Sequence, residues 1–380
     1  MSRMYFLFHC FLPNTANTNR ILSFLREIDN MGYNITVCFF EPDSSFSKIP
    51  ETFNNFKIVY CWDRFYFNNR FLKHLSYYYY LYRFVENINQ GDIVFLNGLW
   101  ELASIIVKIK KNVRVFMERS EHPLVVPPNL KFYRPSTGKY LQLCGRLTGL
   151  FVISHPLKKY FIDSGLEKDR IHIINMTVDP HRFEGIKKKV DSEKYIAYCG
   201  TVSNNKDGVD ELIKSFGLVV QKHENIKLYI IGETPLKDDK TGNLKLIESL
   251  GIKDKVVFTG IVPAEKMPQL LKNAEVLALA RPNNLQAQHG FPTKLGEYLL
   301  TENPVVVTKV GDIPLFLEDG VSALLSEPQN TKEFADKLCW ALEHPKEAAI
   351  IGRNGKEVAL REFNAKIETK KLMNVIMHSK

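Results

Sequence analysis

A chain of 380 residues is long for one hydrophobic core and points to two domains. With 45% hydrophobic and 24% charged residues it is neither disordered nor fibrous in composition, and no apolar run reaches bilayer-spanning length. The formal net charge of +9 suits an anionic ligand, a nucleic acid or an acidic membrane surface, and equally plain surface solvation; charge alone does not choose.

The opening MSRMYFLFHCFLP has one basic residue before a short apolar run broken by His9, and no small-residue cleavage pattern. It is expected to be a first buried strand rather than a secretory leader. Apolar runs at 5–9, 34–40, 57–60, 92–96, 113–118, 149–153 and 171–174 alternate with helical stretches such as 18–31 and 157–164. That is the pattern of a parallel sheet with crossover helices. EGIKKKVDSEK is polar, basic and without apolar periodicity, so 182–193 is expected to link domains spanning 1–181 and 194–361. A second series follows: strands at 195–199, 227–231, 256–259, 276–280, 304–308 and 323–325, with a helix at 208–221. The chain ends in helical sequence broken near Pro345, and a last helix over about 362–380 is expected to pack back on the first domain. The expected fold is α/β: two Rossmann-like doubly wound domains facing each other across a cleft.

The six cysteines stand singly, without the close pairs of zinc or redox motifs, and three fall in expected core strands. A reducing compartment follows, most simply the cytoplasm.

Ligands of open parallel sheets sit beyond the carboxyl ends of the strands, so polar clusters there carry the most weight. VFMERSEHP ends a strand with Glu118, Arg119, Glu121 and His122. A carboxylate or imidazole there would orient or deprotonate an acceptor hydroxyl, or the group is a polar strand end with ordinary ion pairs. The stretch 53–84 interleaves aromatics with Arg64, Arg70, Lys73 and Arg83. It suits base stacking, or an interfacial surface gripping anionic lipid, and part of it must pack in the core. YCGTVSNNKDGVDELIKSF is a strand, a loop with Gly200 and Lys206, and a helix opening near Asp207. Helix-start N–H groups and a lysine attract phosphate, although this is no Walker loop and a solvated lysine is the plain alternative. In LYIIGETPL, Gly232 allows either a tight turn or a close ligand approach. KDDK, at 237–240, is a charged loop with paired aspartates and is not expected to hold a metal. In ALARPNNLQAQHGFPTKLGEYLL, Arg281 follows a strand, and a helix begins near Pro292 as its first residue. Lys294 and Glu297 lie in its first turns, and Glu297 has the reach to accept from vicinal hydroxyls such as those of ribose. A surface ion pair is the alternative.

Several segments taken in order resemble retaining glycosyltransferases of the two-Rossmann-domain type, family 4 in particular. They are ISHPLKKYFIDSGLEKDRIHIINMTVDPHRF, YCGTVSNNKDGVDELIKSF, IIGE, VVFTGIVPAEKMPQLLKNAEVLALA and GFPTKLGEYLLTENPVVVTKVGDIPLFLEDGVSALL. The likeness covers 151–325 well and the rest by layout. It implies the GT-B architecture, a donor pyrophosphate held by Lys206, ribose hydroxyls held by Glu297, and a base bracketed by Ile261 and Val262. Gly290, Phe291, Pro292 and Thr293 would face the donor sugar and phosphates. The chain departs from the family at His289, where relatives carry a glutamate, and at Thr201, where they carry an arginine whose charge Arg281 would restore.

The expected function is retaining, metal-independent sugar transfer, with no cofactor, from a nucleotide diphosphate sugar to a hydroxyl of a glycan or lipid-linked acceptor. Similar enzymes build bacterial cell-surface polysaccharides: capsule, exopolysaccharide or lipopolysaccharide. No enzyme nucleophile is evident, and Glu118, His122 and His289 are the catalytic candidates. Stretch 53–84 would meet an anionic membrane at the inner face of the cell membrane, and no nucleic-acid partner is expected. The alternatives are a sugar-nucleotide epimerase or hydrolase on the same fold, or a nucleic-acid-binding protein using the basic aromatic stretch.

Overall fold

The computed structural model describes residues 2–11, 16–40, 48–49, 51–61, 70–126, 135–189, 193–232 and 241–379. The chain forms two compact units, Met1–Asn175 with Ala365–Lys380, and Met176–Asn364.

The first unit is built on a seven-stranded parallel sheet of order β3-β2-β1-β4-β5-β6-β7. The strands are β1 (Met4–Phe8), β2 (Ile35–Phe39), β3 (Phe56–Tyr60), β4 (Ile93–Asn97), β5 (Arg114–Arg119), β6 (Gly149–Val152) and β7 (Ile171–Ile173). Side chains alternate across a strand, and a sheet covered on both faces needs apolar residues at every position. Phe6, Phe95, Phe116 and Phe151 enter one core with Ile21, Leu25 and Ile28. Their neighbours Leu7, Val94, Leu96, Val115, Met117, Leu150 and Val152 enter the other, with Leu102, Ile106 and Phe161. The aromatic layer is tight, with ring centroids 4.8 Å apart for Phe6 and Phe95. The last helix, Ala365–His378, belongs to this unit, burying Leu372, Met373 and Ile376 in the phenylalanine core.

The second unit carries a six-stranded parallel sheet of order β10-β9-β8-β11-β12-β13. These strands are β8 (Tyr195–Cys199), β9 (Lys227–Ile231), β10 (Val256–Gly260), β11 (Val276–Leu279), β12 (Val305–Thr308) and β13 (Leu324–Ser326). Helix Val209–Val220 buries Val209, Leu212, Ile213, Phe216 and Val219, an apolar stripe at helical spacing. The chain leaves β8 towards β9 and returns on its other side as β11, so a topological switch point lies at the carboxyl ends of β8 and β11.

Three local expectations change. Residues 182–189 and 193 belong to the second unit rather than to a linker, because specific contacts tie that stretch down. Val178 N–H donates to the Phe363 carbonyl at 3.0 Å, Arg182 pairs with Glu297, and Lys188 pairs with Glu275 at 2.9 Å. The helix expected to open near Asp207 is preceded by a separate turn, Asn204–Asp207, stopped by Gly208 at φ 66°. The stretch after Arg281 holds a short helix, Leu285–His289, whose N-cap Asn284 accepts from Ala287 N–H at 2.9 Å. No described helix is long and apolar enough to cross a membrane.

Candidate active site

At the switch point, β8 ends in Cys199 and Gly200. The Cys199 N–H donates to Tyr298 Oη at 2.6 Å, which ties the strand end to helix Thr293–Leu300. A Cβ on Gly200 would lie 2.1 Å from Lys294 Nζ, so the absent side chain is what admits the lysine. Gly232, at the end of β9, is equally constrained: its Cβ would lie 2.1 Å from the Gly200 carbonyl oxygen. Its role here is close backbone approach.

The lysine inserted there is part of a buried polar group. Lys294 Nζ donates to Asp207 Oδ2 at 2.6 Å and to Tyr198 Oη at 3.0 Å, and lies 4.5 Å from the Tyr198 ring centroid. Tyr198 Oη is 2.8 Å from Asp207 and 2.7 Å from the Thr201 carbonyl. Burial pushes the Asp207 carboxyl up, but Lys294, Arg281 and the Tyr198 hydroxyl outweigh it and hold it below the usual aspartate range. Burial also draws the Lys294 ammonium down, with Asp207 opposing.

Asp207 reaches this position through Ser203, whose hydroxyl accepts from Lys206 N–H at 3.2 Å, and through Gly208. A Cβ on Gly208 would lie 1.8 Å from the Ala280 carbonyl oxygen, so the turn is seated against the end of β11. Lys206 is exposed on that turn, and Thr201 is exposed just before it. Arg281, 2% exposed, donates from Nε to the Lys206 carbonyl at 3.4 Å. It braces the lysine's backbone and adds positive charge beside Asp207.

Pro292 is extended and caps helix Thr293–Leu300 from outside, with Thr293 as the first helical residue, one position later than expected. Gly290 is extended and buried, and Phe291 packs against Phe316 and Phe363 at centroid distances of 5.6 and 5.4 Å. His289 Nδ1 lies 3.0 Å from the Leu285 carbonyl, an acceptor, so this nitrogen carries the proton. Glu297 follows Lys294 on the helix and is paired with Arg182; burial pushes its carboxyl up while Arg182 pulls it down. Ile261 is 79% exposed after β10 and Val262 is half-buried.

At the end of β5 the polar side chains have partners within the first unit. Glu118, 7% exposed, has both oxygens engaged: Oε1 by Arg20 at 2.8 Å and Oε2 by Asn97 Nδ2 at 2.8 Å. Arg20 also donates to the Ile174 carbonyl at 3.0 Å. Glu118 therefore ties β5 to its neighbours. His122 is buried, its Nδ1 accepts from Leu124 N–H at 3.2 Å, and its ring lies 4.1 Å from that of Tyr160. Arg119 Nε donates to the Glu121 carbonyl at 2.8 Å.

Within 53–84, helix Arg70–Asn87 divides its face: Tyr77, Leu81 and Val85 are core, whereas Leu72, Leu75, Tyr79 and Tyr82 are exposed. Arg64 and KDDK lie outside the described residues, as does part of the loop PNTANTNR. Among the described residues no group of three or more His, Cys, Asp or Glu could hold a metal ion. Sequence reasoning missed Tyr198 and Arg182 and used Asp207 only as a helix start. VDPHRF contains Arg182, but nothing in a lone arginine of a polar stretch points to a carboxylate 115 residues away.

Residues 193–344 match the family model described as Glycosyl transferases group 1. Mannosylfructose-phosphate synthase of Agrobacterium fabrum is 25% identical over 215 residues, 53% of this chain and 46% of that protein. The capsular polysaccharide biosynthesis glycosyltransferase CapM of Staphylococcus aureus is 26% identical over 235 residues, 58% of this chain and 59% of that protein. The chain thus spans about half the length of the curated relatives it matches. Among solved structures, Anabaena HepE in complex with UDP superposes with a TM-score of 0.72 at 17% identity, covering 99% of each chain. The fold is therefore of the GT-B type.

Proposed function

We propose that the protein is a retaining glycosyltransferase. It moves a sugar from a nucleoside diphosphate sugar to a hydroxyl of a glycan or lipid-linked acceptor, in the assembly of a cell-surface polysaccharide. The observation that carries this reading is the grouping of Glu297, Lys294 and Asp207 at the carboxyl ends of β8 and β11, inside the segment that matches the group 1 model. Among the relatives, HepE is described with UDP and CapM with capsular polysaccharide biosynthesis, and both fit that chemistry.

In this reading Glu297 accepts from the ribose hydroxyls, while Ile261 and Val262 flank the base. Lys206, the N–H groups at the start of helix Thr293–Leu300, and the charge of Lys294 and Arg281 act on the diphosphate. The glycosidic C–O bond to the diphosphate breaks and its electron pair leaves with the phosphate oxygen, where these cations stabilise it. The acceptor oxygen bonds to the same face of the sugar, and its proton passes to the departing phosphate. Transfer then requires neither an enzyme nucleophile nor a metal. Gly290, Phe291 and Pro292 shape the wall beside the sugar, with His289 at its edge.

The test is a thermal-shift panel of nucleoside diphosphates and their sugars, followed by transfer with the best donor in the presence of EDTA. A specific member raises the melting temperature, and product with retained anomeric configuration forms with acceptor present. Absence of any shift removes the proposal. Product formed equally with water alone would mark a hydrolase.

A further inference from the structure

Glu297 owes its surroundings to a residue of a different stretch. Its Oε1 is paired with the Arg182 guanidinium, and the two side chains are only 25% and 24% exposed. Arg182 is held in place by its neighbours. Asp179 Oδ1 accepts from His181 N–H at 3.1 Å and so caps the turn Pro180–Phe183 that carries the arginine. Val178 N–H is bonded to the Phe363 carbonyl at 3.0 Å. On the helix beneath, Gly296 leaves a space filled by Met176 and Val178, whose side-chain atoms lie 2.0 and 2.3 Å from where its Cβ would be. The Arg182 segment therefore lies directly along the helix face that presents Glu297.

The geometry points to Arg182 as the positioning residue for Glu297: it holds the carboxylate charged and turned so that Oε2 meets the donor ribose. This rests on the reading that Glu297 is the ribose acceptor, and adds what makes it one. A half-buried carboxylate needs a cation to stay ionised, and a protonated acid would accept from vicinal hydroxyls poorly. The groups that face Glu297 are Arg182 and Asp179 on the turn, the Cys199 thiol at the end of β8, and the neighbouring Tyr298 hydroxyl. Burial and Asp179 raise the Glu297 carboxyl, and Arg182 opposes both. With Arg182 removed, protonation sets in at higher pH and the ribose contact fails first on the acid side.

The measurement is the affinity of UDP, GDP, ADP and CDP against each one's 2′-deoxy counterpart, from pH 5.5 to 9, for the wild type, Arg182→Gln and Arg182→Lys. The ratio of the two affinities isolates the sugar hydroxyl, because phosphate and base titrations cancel in it. The wild type is expected to prefer the best-bound ribonucleotide by about tenfold or more, as fits a hydrogen bond to a charged group. In Arg182→Gln the preference is lost at a higher pH than in the wild type and returns only on the alkaline side, its midpoint moved up. Arg182→Lys keeps the charge, so its midpoint stays near the wild-type value while the size of the preference falls. A folded Arg182→Gln protein with the wild-type ratio and midpoint overturns the inference. So does an equal loss for ribose and deoxyribose forms at every pH, which would mark a phosphate or purely structural role. If Arg182→Gln does not fold, an unchanged preference in Arg182→Lys overturns it alone. A wild type without any preference, with Glu297→Gln indistinguishable from it, removes the ribose reading itself and the inference with it.

Discussion

Lys294 and Asp207, 87 residues apart in sequence, form an ion pair of 2.6 Å beneath the end of β8, with Asp207 almost wholly buried. The pair joins helix Thr293–Leu300 to the turn that carries Lys206, so it fixes these two elements relative to each other. Breaking one side leaves a buried charge alone, which costs far more than the net worth of the intact pair. Lys294→Met is expected to lower unfolding stability by roughly 3 kcal/mol. Asp207→Asn added to it should recover a large part of that loss. Urea unfolding of the two single variants and the double variant measures this, and additive losses would mean that the pair is not coupled.

Gly208 is the backbone counterpart of that pair. Its φ of 66° belongs to the left-handed region, and its missing Cβ is where the Ala280 carbonyl oxygen sits. Gly208→Ala carries the left-handed penalty, about 1 kcal/mol or more, and a clash that only a backbone shift relieves. Denaturation should show a total loss of about 2–4 kcal/mol. Nucleotide-induced thermal shift should shrink as well, since Asp207 and Lys206 lie on the displaced turn. Gly242→Ala is the control: it also sits at positive φ, but nothing lies within 4 Å of its Cβ, so its cost is the conformational penalty alone.

What was legible in the sequence was whatever local pattern determines. Strands buried on both faces, such as Val305–Thr308, are continuous apolar runs, and Val209–Val220 shows its stripe at helical spacing, so both were found within a residue or two. The helix carrying Lys294 and Glu297 was likewise anticipated, through Pro292 ahead of it. Pairings across long separations were not. Arg182 sits in a polar, basic stretch that reads as a linker until Glu297 is placed beside it. Glu118 at a strand end reads as either an acceptor-orienting group or an ion-pair partner, and only the fold brings Arg20 and Asn97 onto its two oxygens. Charged residues advertise their chemistry in sequence but not their partner.

The two site carboxylates should respond oppositely to acid. Asp207 is held below the usual aspartate range, chiefly against burial by Lys294, so its contribution to stability is full above the unfolded pKa. That contribution is lost as pH falls through the lower folded value. Glu297 is raised by burial despite Arg182, so its ionised form carries a cost at neutral pH that is relieved as pH falls through the raised value. Urea midpoints measured from pH 7 to 3 should show the wild type gaining on Glu297→Gln as pH falls through the raised Glu297 value. The wild-type advantage over Asp207→Asn should instead persist to the acid end and vanish there. Parallel curves for all three proteins would refute the opposed signs.

Helix Arg70–Asn87 sets up the last prediction, which concerns the anionic membrane surface expected of stretch 53–84. Leu72, Leu75, Tyr79 and Tyr82 recur at spacings of three and four and are exposed, Tyr82 by 60%, while Tyr77, Leu81 and Val85 face the core. The exposed stripe is therefore in addition to what folding requires. Exposed leucines and tyrosines beside Arg83, on a chain of net charge +9, suit an anionic lipid surface, where rings lie at headgroup depth. Co-sedimentation with vesicles containing phosphatidylglycerol is expected to exceed that with phosphatidylcholine alone. Leu75→Ser with Tyr79→Ser should reduce the binding by about tenfold, because side chains at headgroup depth are only partly buried and the two together then contribute about half of their full transfer free energy. Donor-induced thermal shift should be unaffected, because neither residue belongs to the unit that holds Glu297 and Lys294. Equal sedimentation with both lipids would leave only nonspecific apolar adhesion and would count against a charged membrane face.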